Sequence, residues 1–167
     1  MRTILICVES DRKANTDSKY IQNTINFFYE VPNNINIKYI NFGGKTKALK
    51  GNNDITQAQK LTKGNVVVIY CLDTDNYDFD TYDVDLNNKI INYCEKNGYE
   101  LVWFCKTVEE VFLHRTVDKN QKIEEAKKIG KANNIGIATI DSLSFCGMSQ
   151  YKSNILLILD RYLKRKK

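Results

Sequence analysis

The sequence predicts an α/β fold: a single domain built on a largely parallel central sheet with helices on both faces. Three observations predict it. "TILICV" (3–8), "NVVVIYCLD" (65–73) and "YELVWFC" (99–105) are continuous apolar runs rich in β-branched and aromatic residues, as strands buried on both faces are. Segments with apolar residues at helical spacing alternate with these runs, the order that builds parallel sheets. The chain has 167 residues with one proline and eight glycines, which suits one cored domain, 1–167, without a long linker.

Each element has its own signal. After the first strand, Ile21, Ile25, Phe28 and Tyr29 mark a helix over 17–30 that Pro32 stops. "INIKYINF" (35–42) alternates, so it reads as a strand less completely covered, at a sheet edge, ending in Gly43-Gly44. A short helix is expected at 54–62. Leu86, Ile90, Ile91 and Cys94 mark a helix that ends at Asn97-Gly98. Beyond the strand at 99–105, a short helix is expected around 107–114. Asp118 and Gln121 suggest a capping box for a helix over 119–133. "IGIATI" (135–140) reads as a further strand. Ile155, Leu156, Leu159, Tyr162 and Leu163 place a last helix over 150–165.

Composition narrows the class. Hydrophobic content of 43% and charged content of 27% are those of an ordinary globular protein. The longest apolar run, Val66–Leu72, is far shorter than the ~20 residues of a membrane span. The N-terminus does not read as a signal peptide. The five cysteines are scattered, with no C-x-x-C pair, so neither a zinc site nor a disulfide framework is expected, and a reducing cytoplasm fits best. The net charge of +5 sits in the tail "RYLKRKK" (161–167); the rest of the chain balances. That tail is either a solubilising helix end or a contact for a phosphate backbone.

Two acids stand where a parallel sheet places its sites, beyond the carboxyl ends of strands. Glu9 follows the first buried strand in "LICVESDRKA", and Asp73 closes the second in "VVVIYCLDTDN", with Asp75 two residues on. Alternate residues of an extended D-x-D segment face the same side, so Glu9, Asp73 and Asp75 are expected to converge. Carboxylates that close repel one another, and a divalent cation relieves the repulsion. Mg²⁺ (or Mn²⁺) takes oxygen ligands and holds substrate phosphates.

This arrangement resembles the Toprim domain of topoisomerases, bacterial primases and several nucleases. The likeness rests on "ICVES", on "VVVIYCLDTD" and on the glycine turn between them, and "VESDRKA" is similar to the opening of type IA topoisomerases. It covers about residues 1–105 and leaves 106–167 as a helical C-terminal extension. Among such proteins the chain looks most like small stand-alone members and the RloB-like nucleases linked to restriction or abortive infection. The resemblance implies metal-dependent phosphodiester chemistry on DNA or RNA, in phage defence. Glu9 would be general acid/base or metal ligand, Asp73 and Asp75 would hold Mg²⁺, and a further acid would come from Glu109 or Glu110. The chain departs from the topoisomerase pattern at Asn76-Tyr77-Asp78, where a third acid and a glycine are usual.

Other features carry less. "DTDNYDFDTYDVD" (73–85) fails as an EF-hand because Asp78 and Val84 stand where Gly and Glu are needed. "FGGKTK" (42–47) fails as a P-loop because Tyr39 occupies the first glycine position. Lys13, Lys45 and Arg115 are candidate phosphate contacts, and His114 reads as a packed or surface histidine, with a general-acid role as the alternative. Nucleic acid is the expected partner, with a homo-oligomer or a protein partner also open. The competing readings are a non-catalytic α/β module that recruits nucleic acid or protein, and a receiver-like domain.

Overall fold

The computed structural model describes residues 2–10, 15–62, 64–132 and 134–166. Four strands, β1 (Arg2–Val8), β3 (Ile35–Asn41), β4 (Asn65–Asp73) and β5 (Glu100–Phe104), form one parallel sheet in the order β3-β1-β4-β5. Helices α1 (Thr16–Phe28), α2 (Asn53–Leu61), α3 (Thr81–Asn97), α4 (Val108–Leu113), α5 (Lys122–Ala132), α6 (Ile140–Leu143) and α7 (Ile155–Leu159) surround it. A separate two-stranded ladder joins β2 (Tyr29–Glu30) to β6 (Lys164–Arg165).

Strand alternation divides the core in two. Ile4, Ile6, Val8, Ile69, Cys71, Val102 and Phe104 pack with α1, α4, α5 and α7. Leu5, Cys7, Val68, Tyr70, Leu72 and Trp103 pack with Ile55 of α2 and with Leu86, Ile90 and Cys94 of α3. The unbroken apolar runs of β1 and β4 follow from this, since both neighbouring faces are dry. β3 is the edge strand that its alternation predicts, with Ile40 its one buried residue. α3 ends at Gly98, whose φ of 66° is the left-handed conformation of a helix stop. Residues 106–166 pack into the first of the two cores rather than standing apart from it.

The C-terminal third departs from expectation. Residues 135–139 form turns and α6 begins at Ile140, capped by Thr139 and Ser142 in a reciprocal capping box. The expected helix over 150–165 is only α7, five residues long. The chain then turns, and β6 pairs with β2, where the helix over 17–30 has already ended. The apolar spacing at 155–163 arises because Ile155, Leu156, Leu159 and Leu163 all reach the core, from a short helix and the bend that follows it. Asp118 and Gln121 are joined by a backbone turn, N–H to carbonyl at 2.8 Å, and α5 starts one residue later. The four buried cysteines are free, and Cys146 is free and exposed. Among the described residues no helix is long and apolar enough to cross a membrane.

Candidate functional site at the switch point

β1 leads through α1 towards β3, whereas β4 leads through α3 towards β5 on the other side. The chain therefore diverges between β1 and β4, which opens a crevice at their carboxyl ends. Glu9 and Asp73 flank that crevice, each at the end of its strand.

The glycine turn fixes the Glu9 side. Phe42 N–H donates to Val8 O and Gly44 N–H to Glu9 O, both at 2.9 Å, so the chain after β3 folds across the end of β1. Gly43 and Gly44 have φ of 71° and 131°, which L side chains rarely adopt. The turn delivers Lys45, only 5% exposed, whose Nζ lies 2.8 Å from Asp75 Oδ2. Burial, reinforced by the charge of Asp75 and opposed by that of Lys45, pushes the Glu9 carboxyl up to about 7. Its Oε2 is buried and, among the described residues, without a hydrogen-bond partner.

Asp73 turns the other way. Its Oδ1 accepts a 2.9 Å hydrogen bond from Val108 N–H at the start of α4. Burial, then the charges of Asp17, Glu9, Glu109 and Asp75, hold its carboxyl well above the usual range. Glu109 is fully buried, with Oε2 2.9 Å from Lys122 Nζ and Oε1 unpartnered. Burial works against the charge on Lys122, but the adjoining Glu109 carboxylate more than offsets it and raises the ammonium above its ordinary value. Glu110 instead accepts from the Thr116 hydroxyl at 3.3 Å. The structure thus turns Glu109, of the two candidate acids, towards Asp73.

Asp73 and Asp75 do not share a side, as an extended D-x-D would. Asp75 has φ of 51°, so the extended segment has already ended. Thr74 and Asp75 donate to Phe104 O and Lys106 O, which bends the segment over β5. Asp75 then points to Lys45 and Asp73 to α4. Among the described residues, no group of three or more acidic, histidine or cysteine side chains is arranged to hold a metal ion. The five acids instead fall into two linked sets, Glu9 and Asp75 around Lys45, and Asp73, Asp17 and Glu109 beside Lys122.

Of the expected phosphate contacts, Lys45 is in this network, Arg115 pairs with Glu125 at 3.0 Å, and Lys13 lies outside the described residues. His114 stacks on Tyr151 at 4.7 Å. The sequence reading missed Asp17 and Lys122. Asp17, in the first turn of α1, accepts from Ser10 N–H at 2.9 Å. An acid in the first turn of a helix that follows a central strand lies at the same rim by construction, and that signal was available. Lys122 had no such signal. Comparison of the chain with protein-family models, with curated proteins and with solved structures gave no match.

Proposed function

We propose that the chain is a metal-dependent enzyme of phosphodiester chemistry on nucleic acid, a small Toprim-like nuclease with a role in phage defence. One observation carries this reading: five carboxylates gather around the switch-point crevice, and two of their buried oxygens, Glu9 Oε2 and Glu109 Oε1, lack partners. An all-oxygen donor set suits Mg²⁺ or Mn²⁺. Mg²⁺ is commonly held by one or two carboxylates with waters and substrate phosphates, so it does not require a closed protein cage. Asp73 would hold the ion, with Asp75 and Glu109 beside it; the ion would stabilise charge on the phosphate.

The chain's own residues supply the rest. Glu9, with its carboxyl near 7, exchanges a proton at neutral pH, as a general acid/base must. Lys45 holds Asp75 in place and tempers the Glu9 shift. Gly44 anchors the backbone of Glu9.

Asp73→Asn tests the reading. The amide keeps an oxygen for Val108 N–H, so the fold is expected to survive while cleavage of single-stranded, duplex or transfer nucleic acid in Mg²⁺ or Mn²⁺ is lost. Wild-type protein that leaves every such substrate intact would sink the enzyme reading. One observation favours the alternative of a non-catalytic binding module: Lys45 and Lys122 already pair with two of the acids, Asp75 and Glu109. Nucleic-acid binding that persists in Glu9→Gln and Asp73→Asn without turnover would select it.

A further inference from the structure

α1 and α5 both begin at the acid cluster. Asp17 sits in the first turn of α1, and Lys122 opens α5 with its ammonium on Glu109. Between the two helices runs a groove of about 360 Å³. Its floor is Ala126 with the buried Asn23, whose amide donates to the Asn134 carbonyl. Its walls carry the amides of Gln22 and Asn26 and three lysines, Lys19, Lys127 and Lys131; among the described residues no acid lines it.

Among the described residues other lysines such as Lys38, Lys89, Lys96 and Lys119 also lack an ion pair, so what marks these three is that they line one groove together. Lys128, one residue along α5, is bound by Glu124 and Glu125 at 3.2 and 2.9 Å. Lys45, Lys122, Arg115, Arg161 and Arg165 are likewise in ion pairs. Among the described residues, Lys19, Lys127 and Lys131 have none. Lys127 and Lys131 are four residues apart, about 6 Å along the helix axis, so they face the same groove in succession. Beyond the groove, Lys166 donates to Asn26 O at 2.5 Å. Three unpaired ammonium groups and two amide side chains make a row of donors without an acceptor of opposite charge.

We propose that this groove binds the phosphate backbone of single-stranded nucleic acid and leads it towards the acid cluster. The choice of nucleic acid as the polyanion rests on the phosphodiester reading above, so the test reads binding without turnover. Anisotropy of a fluorescein-labelled oligothymidylate is measured in EDTA across a salt series. Single-strand contacts contribute about 0.7 per phosphate to the slope of log K against log salt. The variant Lys19→Gln/Lys127→Gln/Lys131→Gln is therefore expected to lower that slope by about 2 and to weaken binding on the order of 100-fold at 0.1 M salt. Lys128→Gln, on the same helix but outside the groove, is expected to leave both unchanged. If the triple variant does not fold, Lys127→Gln and Lys131→Gln singly should each lower the slope by about 0.7.

An unchanged slope in the groove variants, or no binding by the wild type, overturns the proposal. So does tighter, groove-dependent binding of a labelled polyglutamate peptide, which would make the occupant a polypeptide. Groove-dependent oligonucleotide binding with no cleavage leaves the groove standing and removes the nuclease reading. Cleavage with an unchanged slope does the reverse.

Discussion

At the scale of the residue, Glu9 is a carboxyl whose titration the fold moves up to neutral pH. Its ordinary value of 4.5 rises to about 7 through burial and the neighbouring Asp75. Between these two values the folded state binds a proton that the unfolded chain has released. Stability therefore falls as pH rises from 4.5 to about 7 and stays lowered above that. At 1.36 kcal/mol per pH unit the full penalty is on the order of 3 kcal/mol. Asp73, also raised, contributes in the same direction. Thermal melts in EDTA should show the midpoint falling over this window, and Glu9→Gln should flatten that part of the curve. A wild-type midpoint that rises with pH through the window would contradict the account. Lys45 opposes the Glu9 shift, so Lys45→Met should move the Glu9 titration above 7 when it is followed by carbon-detected NMR. A value moving towards 4.5 would mean that Lys45 does not sit against Glu9 as the structure places it.

At the scale of the element, the exposed edge of β5 is closed without a fifth strand. Asn154 Oδ1 accepts from Trp103 N–H, and its amide donates to Leu101 O, both at 2.9 Å. Lys152 O accepts from Cys105 N–H at 3.0 Å, and Ser153 bridges Phe104. One side chain thus does what a neighbouring backbone would do and blunts an edge open to intermolecular pairing. Asn154→Ala leaves two strand groups unpartnered and should cost about 1–3 kcal/mol in urea unfolding, with increased light scattering on heating. A variant as stable and monodisperse as wild type would show that solvent satisfies this edge. The same region marks where the sequence stopped being legible. β1, β4 and β5 could be read because burial on both faces removes polar residues from them. The cover over β5 is made by side-chain-to-backbone bonds, which leave no periodic trace, and β6 is two residues long. The rim acids Glu9 and Asp73 were legible from their place after apolar runs. The divergence of Asp75 was not, because it rests on one left-handed residue that is not a glycine, and the partner roles of Lys45 and Lys122 depend on folding distant segments together.

At the scale of the whole molecule, the C-terminal tail is a clasp more than a free basic arm. β6 pairs with β2 directly after α1, and Lys166 N–H donates to Phe28 O at 2.8 Å. Asp160 receives both Arg165 and the Tyr29 hydroxyl, each at 2.8 Å, so the tail is tied to the end of α1 through one carboxylate. Arg161 forms two hydrogen bonds to Glu100, at 3.1 and 2.8 Å. Among the described tail cations, Lys164 alone has no polar partner, since Lys166 holds Asn26 O. Removing residues 164–167 should therefore act mainly on stability. It deletes the ladder and the Asp160–Arg165 pair, for a loss of about 1–2 kcal/mol, exposed ion pairs being weak and the net gain per hydrogen bond modest. The effect on oligonucleotide binding separates clasp from arm. If only Lys164 is available to phosphate, the salt slope should fall by about 0.7; if the tail were a free arm whose four cations all met phosphates, it would fall by nearly 3. Melts and salt titrations on the same truncated protein give both numbers. A stable truncation with the larger loss of slope would return the tail to the role its charge alone suggests, and would take the phosphate contact away from the groove between α1 and α5.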